Sequence, residues 1–146
     1  MRIKTEVVVG EARTQLLIVS DPVTFHTPVY SLLDEVVEVS IDHCLVCTDK
    51  VLFNGTLTKN LIYKERPHPA TGEGRILYHE MKLPFSGFVA LPGAKPGDNC
   101  QVESAGVGDG NFLVPLMADA AGIRIAVEKV IVEVKLKVTR VEQVAV

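Results

Sequence analysis

Alternation of apolar and polar side chains at a period of two constrains the fold of this chain more than any other feature. Between residues 51 and 60, one face of an extended chain carries Val51, Phe53, Gly55, Leu57 and Lys59, and the other carries Leu52, Asn54, Thr56, Thr58 and Asn60. Near the C-terminus, one face carries Val130, Val132, Val134, Leu136 and Val138, and the other Ile131, Glu133, Lys135, Lys137 and Thr139. Both segments are predicted to be strands with one buried face.

The rest of the chain reads as shorter strands separated by turn signals. Further strands are predicted over residues 6–9, 15–20, 37–45, 76–83 and 99–104, with Gly10 marking a turn or bulge. In residues 37–45 we expect Val37, Val39, Ile41, His43 and Leu45 to share one face. Residues 22–28 are predicted to be a proline-flanked connection, residues 64–74 a polar loop, residues 106–111 a glycine-rich turn and residues 113–122 a short helical turn. This order predicts an all-β fold, an antiparallel β-sandwich or flattened barrel with long strands and at most one short helix.

Length and composition fit one folded domain over residues 1–146. A chain of 146 residues with 47% hydrophobic residues is expected to bury roughly 70% of its unfolded surface and to need neither a metal nor a disulfide to hold its core. A net charge of -3 provides no broad cationic surface for phosphate groups. We therefore expect no nucleic-acid partner. No apolar run reaches the ~18 residues of a membrane-spanning helix, so we expect no membrane span. The N-terminus lacks a signal-peptide pattern, which predicts synthesis in the cytoplasm.

A proline- and glycine-rich corner comes after the predicted strand at residues 76–83. Pro84 is expected to end the strand because it removes a backbone donor, and Phe85 and Phe88 can anchor the next segment by apolar contacts. Two Pro-Gly dipeptides, at residues 92–93 and 96–97, are strong turn formers. This segment is interpreted as a pinned corner of a scaffold rather than a catalytic loop.

At these residues the chain resembles the SPOCS family, the SipL-like, spore-coat-associated proteins of spore-forming Firmicutes. The resemblance lies in residues 49–57, Ile62 and Tyr63, residues 84–88 and residues 92–98. It covers most of the chain, from about residue 7 to about residue 138, and is weaker at both ends. It implies a role in spore assembly, where such domains recruit coat proteins and are usually joined to a peptidoglycan-binding LysM module. The sequence leaves no room for a LysM module, so a stand-alone subunit is expected.

Three cysteines, Cys44, Cys47 and Cys100, cannot all pair within one chain. Cys44 and Cys47 form a CxxC pattern, but in a strand residues three apart point to opposite faces, which disfavours a shared redox or zinc site. Two interpretations remain open: a plain structural role, and an intermolecular disulfide between subunits.

No catalytic or metal-binding constellation is recognisable in the sequence. The four histidines, His26, His43, His68 and His79, lack the spacing of a metal site, and no nucleophile motif is present. We expect no enzymatic activity and no cofactor. The competing hypothesis is a small metal- or ligand-binding β-fold enzyme that uses His26, His43 or His79.

The sequence therefore favours a non-enzymatic structural protein of a spore coat or cell-surface assembly. Its expected partners are itself, as a homo-oligomer or filament, and spore envelope proteins; a monomeric adaptor that recruits one coat protein is the alternative. Strand addition by the terminal segments at residues 1–9 and 141–146 is the expected mechanism. The candidate contact residues are Val7, Val9, Val144 and Val146 in these segments, and Arg66 and His68 in the polar loop.

Overall fold

A computed structural model describes residues 1–145 and contains seven β-strands. They are β1 (Arg2–Val19), β2 (Val23–Val29), β3 (Ser31–Cys47), β4 (Lys50–Lys64), β5 (Ile76–Ala90), β6 (Asn99–Asp119) and β7 (Gly122–Ala145). Every strand pair is antiparallel. The described residues contain no helix, and hence none with the length and hydropathy of a membrane span.

Two sheets pack face to face, each built around one long central strand. In sheet A, β7 is the central strand. Along one edge it pairs with β1 through residues 129–145 and with β2 through residues 123–126, and along its other edge it pairs with β6. In sheet B, β4 lies between β3 and β5. The predicted antiparallel β-sandwich is confirmed.

The core lies between the two central strands, as their alternation predicts. Val130, Val132, Val134, Leu136 and Val138 of β7 are all fully or almost fully buried. From β4, the inward side chains are Val51, Phe53, Leu57, Lys59, Leu61 and Tyr63. One end of the core is a cluster around Leu57 and Val130, and the other is a smaller cluster around Leu61 and Ala126.

Two β-bulges change which residues face inward. The predicted strands at residues 6–9 and 15–20 are parts of one continuous strand, β1. The expected bulge at Gly10 is present, and its extra residue is Val9, which has no partner on β7. In β3, Asp42 has no partner on β4. Because one extra residue reverses the alternation, His43 and Leu45 point outward, and the prediction that they share a face with Ile41 is wrong.

Two predictions that rested on proline are wrong. The expected connection at residues 22–28 forms β2, which pairs with β7 through Val23 and Thr24. Pro84 does not end a strand, because β5 continues to Ala90 and Pro84 lies opposite Thr56. Both strands lie at sheet edges, where the missing N–H of proline costs no ladder hydrogen bond.

Two predicted turns lie inside β6. The glycine-rich segment at residues 106–111 is an irregularity of β6, between Val107 and Asn111 in the pairing with β7. The expected helical turn at residues 113–122 is wrong, since β6 runs to Asp119 and only Ala120 and Ala121 form the turn into β7. Pairing along β7 overrides the weak helix propensity of these residues.

Candidate functional site

The two terminal segments pair with each other. Val7 lies opposite Arg140 and Ile3 opposite Val144, and β6 reaches only as far as Thr139. Beyond Thr139, β1 and β7 therefore form a two-stranded ribbon. Val9 packs against the core and Val144 is exposed on the ribbon, while Val146 lies outside the described residues. The expected strand addition by the terminal segments would require this ribbon to open.

The predicted polar loop connects β4 to β5 and is internally ordered. Arg66 and His68 are exposed, and the His68 imidazole accepts a hydrogen bond from the backbone N–H of Ala70 at 3.1 Å. At its base, Arg75 Nε donates to Glu65 Oε2 at 2.6 Å, and this hydrogen bond lowers the pKa of Glu65. The loop holds Arg66 and His68 in the accessible position that a contact role requires.

Two of the three cysteines are paired within the chain. Cys44 on β3 is bonded to Cys100 on β6, with a Cα–Cα distance of 6.2 Å. An intermolecular disulfide through Cys44 or Cys100 is therefore ruled out in this state, because both sulfurs are already used. The free thiol is that of Cys47, which is half-buried.

The three histidines of the competing enzyme hypothesis lie apart. His43 points outward from sheet B, and His26 is exposed on β2. His79 packs edge-on against Phe25, with ring centroids 5.1 Å apart, and burial lowers its pKa. Within residues 1–145, no group of three or more His, Cys, Asp or Glu side chains is arranged to hold a metal ion.

An apolar row crosses the outer face of sheet B at one end. Leu45 on β3 lies opposite Leu52 on β4, which lies opposite Phe88 on β5. Their exposed fractions are 62%, 38% and 68%. Directly opposite residues in a sheet share a face, so these three side chains are neighbours in one surface patch, which we call the outer apolar row.

A polar cluster divides the core between its two apolar ends. Lys59 of β4 and Glu128 of β7 are both fully buried, and the Lys59 ammonium hydrogen-bonds to Glu128 Oε2. The same ammonium donates to Asn111 Oδ1 at 2.8 Å. It lies 2.9 Å from Glu35 Oε1, an ion pair without hydrogen-bond geometry. Residues from both sheets therefore meet at one nitrogen atom.

Irregular edge strands open this cluster towards the surface. Leu33 of β3 has no partner on β4, and Gly108, Asp109 and Gly110 interrupt the pairing of β6 just before Asn111. A surface cavity of about 320 Å³ lies here, lined by Leu32, Leu33, Asp34, Glu35 and Asn111. Bulges re-aim side chains, and Asn111 and Glu35 reach Lys59 from such irregular segments.

The backbone of Glu128 is fixed while one of its carboxylate oxygens has no partner. Ser20 and Glu128 exchange two hydrogen bonds of 2.9 Å, one through the Ser20 hydroxyl and one through the Ser20 N–H. Glu128 Oε1 is buried and has no hydrogen-bond partner among the described residues. Burial raises the pKa of Glu128, and the hydrogen bond and charge of Lys59 act against that shift. The raised pKa makes the Glu128 carboxylate a stronger base than that of an exposed glutamate.

Sequence reasoning placed Lys59 on the buried face of β4 but did not treat it as a site. A lysine in phase with Val51, Phe53 and Leu57 is itself the signal, because a buried ammonium requires partners. Glu128 likewise stands in phase with Val130. Asn111 gave no signal, because its inward orientation depends on the irregularity in β6 that precedes it.

Comparison with known protein families gives a match over the middle of the chain. The family described as SipL, SPOCS domain matches residues 28–112, which span more than half of the chain and include all of β3, β4 and β5. No curated protein and no solved structure matches significantly. The match indicates a sporulation-related protein from a non-catalytic domain family. The chain belongs to the SipL, SPOCS-domain family.

Proposed function

We propose that this protein is a non-catalytic assembly component of a spore coat or related cell-surface layer, and that it associates with further copies of itself. The observation that carries the proposal is the outer apolar row formed by Leu45, Leu52 and Phe88. The solvent-facing side of an antiparallel sheet is normally polar. Three adjacent exposed apolar side chains on such a face favour a surface that another protein covers.

The middle of the same face shows the polar character expected where a sheet meets water. In the middle of sheet B, Glu38 lies opposite Thr58, and Thr58 lies opposite Lys82. The next row is Ser40, Thr56 and Pro84. The outer apolar row is therefore separated by polar side chains from the exposed apolar residues at the other end of this face, Val36, Ile76 and Tyr78.

A second copy of this chain suits the outer apolar row for two reasons. The row itself contains no charged side chain. Two copies related by a twofold axis can therefore pack their rows against each other without burying a like-charged pair. Cys47 lies two residues beyond Leu45 on the same face of β3, and its thiol is free. Cys47 therefore lies at the margin of such a contact, and its free thiol is available for a disulfide between subunits.

Sedimentation velocity over a range of protein concentrations tests self-association. We expect the wild type to sediment faster as its concentration rises, and Phe88→Ser to remain a monomer over the same range. Tyr78→Ser is the matched control, since Tyr78 is an exposed aromatic on the same face of β5 at the opposite end, with 73% exposure. It should behave like the wild type.

A wild type that stays monomeric at every concentration would contradict the proposal and would support a monomeric adaptor. If Phe88→Ser and Tyr78→Ser change self-association equally, the contact between copies does not lie on the outer apolar row. Negative-stain microscopy of the associated wild type then distinguishes a closed dimer from a filament, because only a contact that does not close on itself extends without limit.

A further inference from the structure

Lys59 and Asn111 are positioned as an amine and a carboxamide that can react. Lys59 Nζ lies 2.8 Å from Asn111 Oδ1, next to the carboxamide carbon of Asn111. Lys59 comes from β4 of sheet B and Asn111 from β6 of sheet A, so the contact spans the sandwich. Holding two reacting groups in contact removes most of the entropic barrier to their reaction.

Glu128 supplies the acid–base group that such a reaction needs. Its carboxylate is hydrogen-bonded to Lys59, and its second oxygen, Oε1, is buried without a partner among residues 1–145. Asn111 lies opposite Val130 and Glu128 is two residues from Val130 on β7, so Asn111 and Glu128 point inward from neighbouring positions of sheet A. Lys59, Asn111 and Glu128 thus form a compact triad.

We propose that Lys59 and Asn111 form an isopeptide bond that joins the two sheets covalently, with Glu128 relaying the protons. This modification is independent of the self-association proposed above, because it lies inside one chain and needs no second copy.

The reaction balances without an oxidant or a co-reactant. The Lys59 ammonium first passes one proton to the Glu128 carboxylate, which gives a neutral amine and a neutral acid. The amine nitrogen attacks Cγ of Asn111 while the acid proton stabilises the amide oxygen. The bond from Cγ to Nδ2 then breaks, and Nδ2 leaves with protons relayed through Glu128. The products are a secondary amide between Lys59 and Asn111, an ammonium ion that carries away the remaining proton, and Glu128 returned to its carboxylate form.

Glu128 is better placed than Glu35 for this relay. Removing two opposite charges from water favours transfer of the proton and neutralisation of the pair, and that effect is strongest where burial is complete. Glu128 is fully buried, whereas the Glu35 side chain keeps 24% of its exposure and faces the surface cavity. Burial also raises the pKa of Glu128, which favours the neutral acid that the reaction requires.

Mass spectrometry of the intact, denatured and reduced protein tests the proposal. We expect the wild type to be lighter than its sequence mass by one ammonia molecule. After trypsin digestion, we expect a branched species that joins residues 51–64 to residues 83–124, because trypsin does not cleave after an acylated Lys59. Localising the bond by fragmentation also excludes ammonia loss at Asn54, which precedes Gly55.

Substitutions identify the role of each member of the triad. Lys59→Arg keeps the charge but offers no amine nucleophile, and Asn111→Ala removes the acceptor carbon; both should show the full sequence mass. Glu128→Gln should leave Lys59 and Asn111 unjoined. Glu133→Gln is the matched control, because Glu133 lies on β7 but points outward towards Gln15, and it should retain the cross-link.

A wild-type protein with its full sequence mass would overturn the proposal, whichever variants fold. A cross-link in Glu128→Gln at the wild-type level would overturn the assigned role of Glu128. Self-association measured on the same samples separates this inference from the proposed function, since either can fail while the other stands.

Discussion

Cys44 and Cys100 join an edge strand of sheet B to an edge strand of sheet A through a disulfide, across 56 positions of the sequence. Cys44 points inward because the unpaired Asp42 reverses the alternation of β3. Both cysteines pack against the larger core cluster. The disulfide therefore restrains the two facing edges of the sandwich at the end where the core is largest.

Removing this disulfide should lower the stability of the fold. We expect the double variant Cys44→Ser/Cys100→Ser to lose about 2–4 kcal/mol of unfolding free energy, chiefly because the unfolded chain regains the entropy of an open loop. Urea unfolding followed by circular dichroism measures this loss. Cys47→Ser is the control and should change stability by less than about 0.5 kcal/mol. Equal midpoints for the double variant and the control would contradict the prediction.

Gly55 should not tolerate even one methyl group. A Cβ atom there would collide with the backbone oxygen of Ser40 and lie 2.6 Å from Cζ of Phe85. Since the Ser40 oxygen is fixed within the sheet, we expect Gly55→Ala to cost about 1–3 kcal/mol of stability. Gly106→Ala is the matched control, because a Cβ atom there has no neighbour within 4 Å among the described residues. Thermal unfolding of both variants measures the difference, and similar midpoints would refute it.

The ion pair between Asp98 and Arg140 should make stability depend on acid pH. Arg140 donates two hydrogen bonds of 2.8 Å to the Asp98 carboxylate, and they hold the pKa of Asp98 below its ordinary value of 3.8. A depressed folded-state pKa stabilises the fold above the unfolded value, and the effect disappears as the pH falls through the folded value.

Asp98→Asn should therefore be less stable than the wild type at neutral pH, and the difference should shrink as the pH falls below the ordinary aspartate value of 3.8. Melting temperatures measured from neutral to acid pH give the two curves. Asp109→Asn serves as control, because Asp109 forms no ion pair within residues 1–145. A constant gap between wild type and Asp98→Asn across the pH range would rule out this linkage.

The fold class and the two central strands could be predicted because their alternation is uninterrupted. Val130 to Val138 and Val51 to Lys59 keep one phase along the whole segment, and the structure buries the predicted face in both. Local sequence was a weaker guide at the edges. Prolines 22, 28 and 84 are breakers in isolation, but they lie within or beside edge strands, which tolerate a missing donor.

The candidate sites were harder to predict because they depend on register. The side chain of Cys44 turns inward only because Asp42 is unpaired. The sequence around Asp42 contains no residue pattern that predicts a bulge there. The pairing of Cys44 with Cys100 results from that geometry, so the three cysteines could not be assigned from their spacing. Asn111 likewise reaches Lys59 through the irregular pairing of β6, whereas Lys59 itself was visible as a charge on an apolar face.

The central position of β7 has a consequence for the order in which the protein folds. Within residues 1–145, β1, β2 and β6 have no other strand partner than β7, whereas β3, β4 and β5 are consecutive hairpins. Local hairpins form faster than pairings between distant segments. On the ribosome, sheet B can therefore assemble as soon as Ala90 has emerged, while β1 and β2 must wait with their apolar faces uncovered until Gly122–Ala145 has been synthesised.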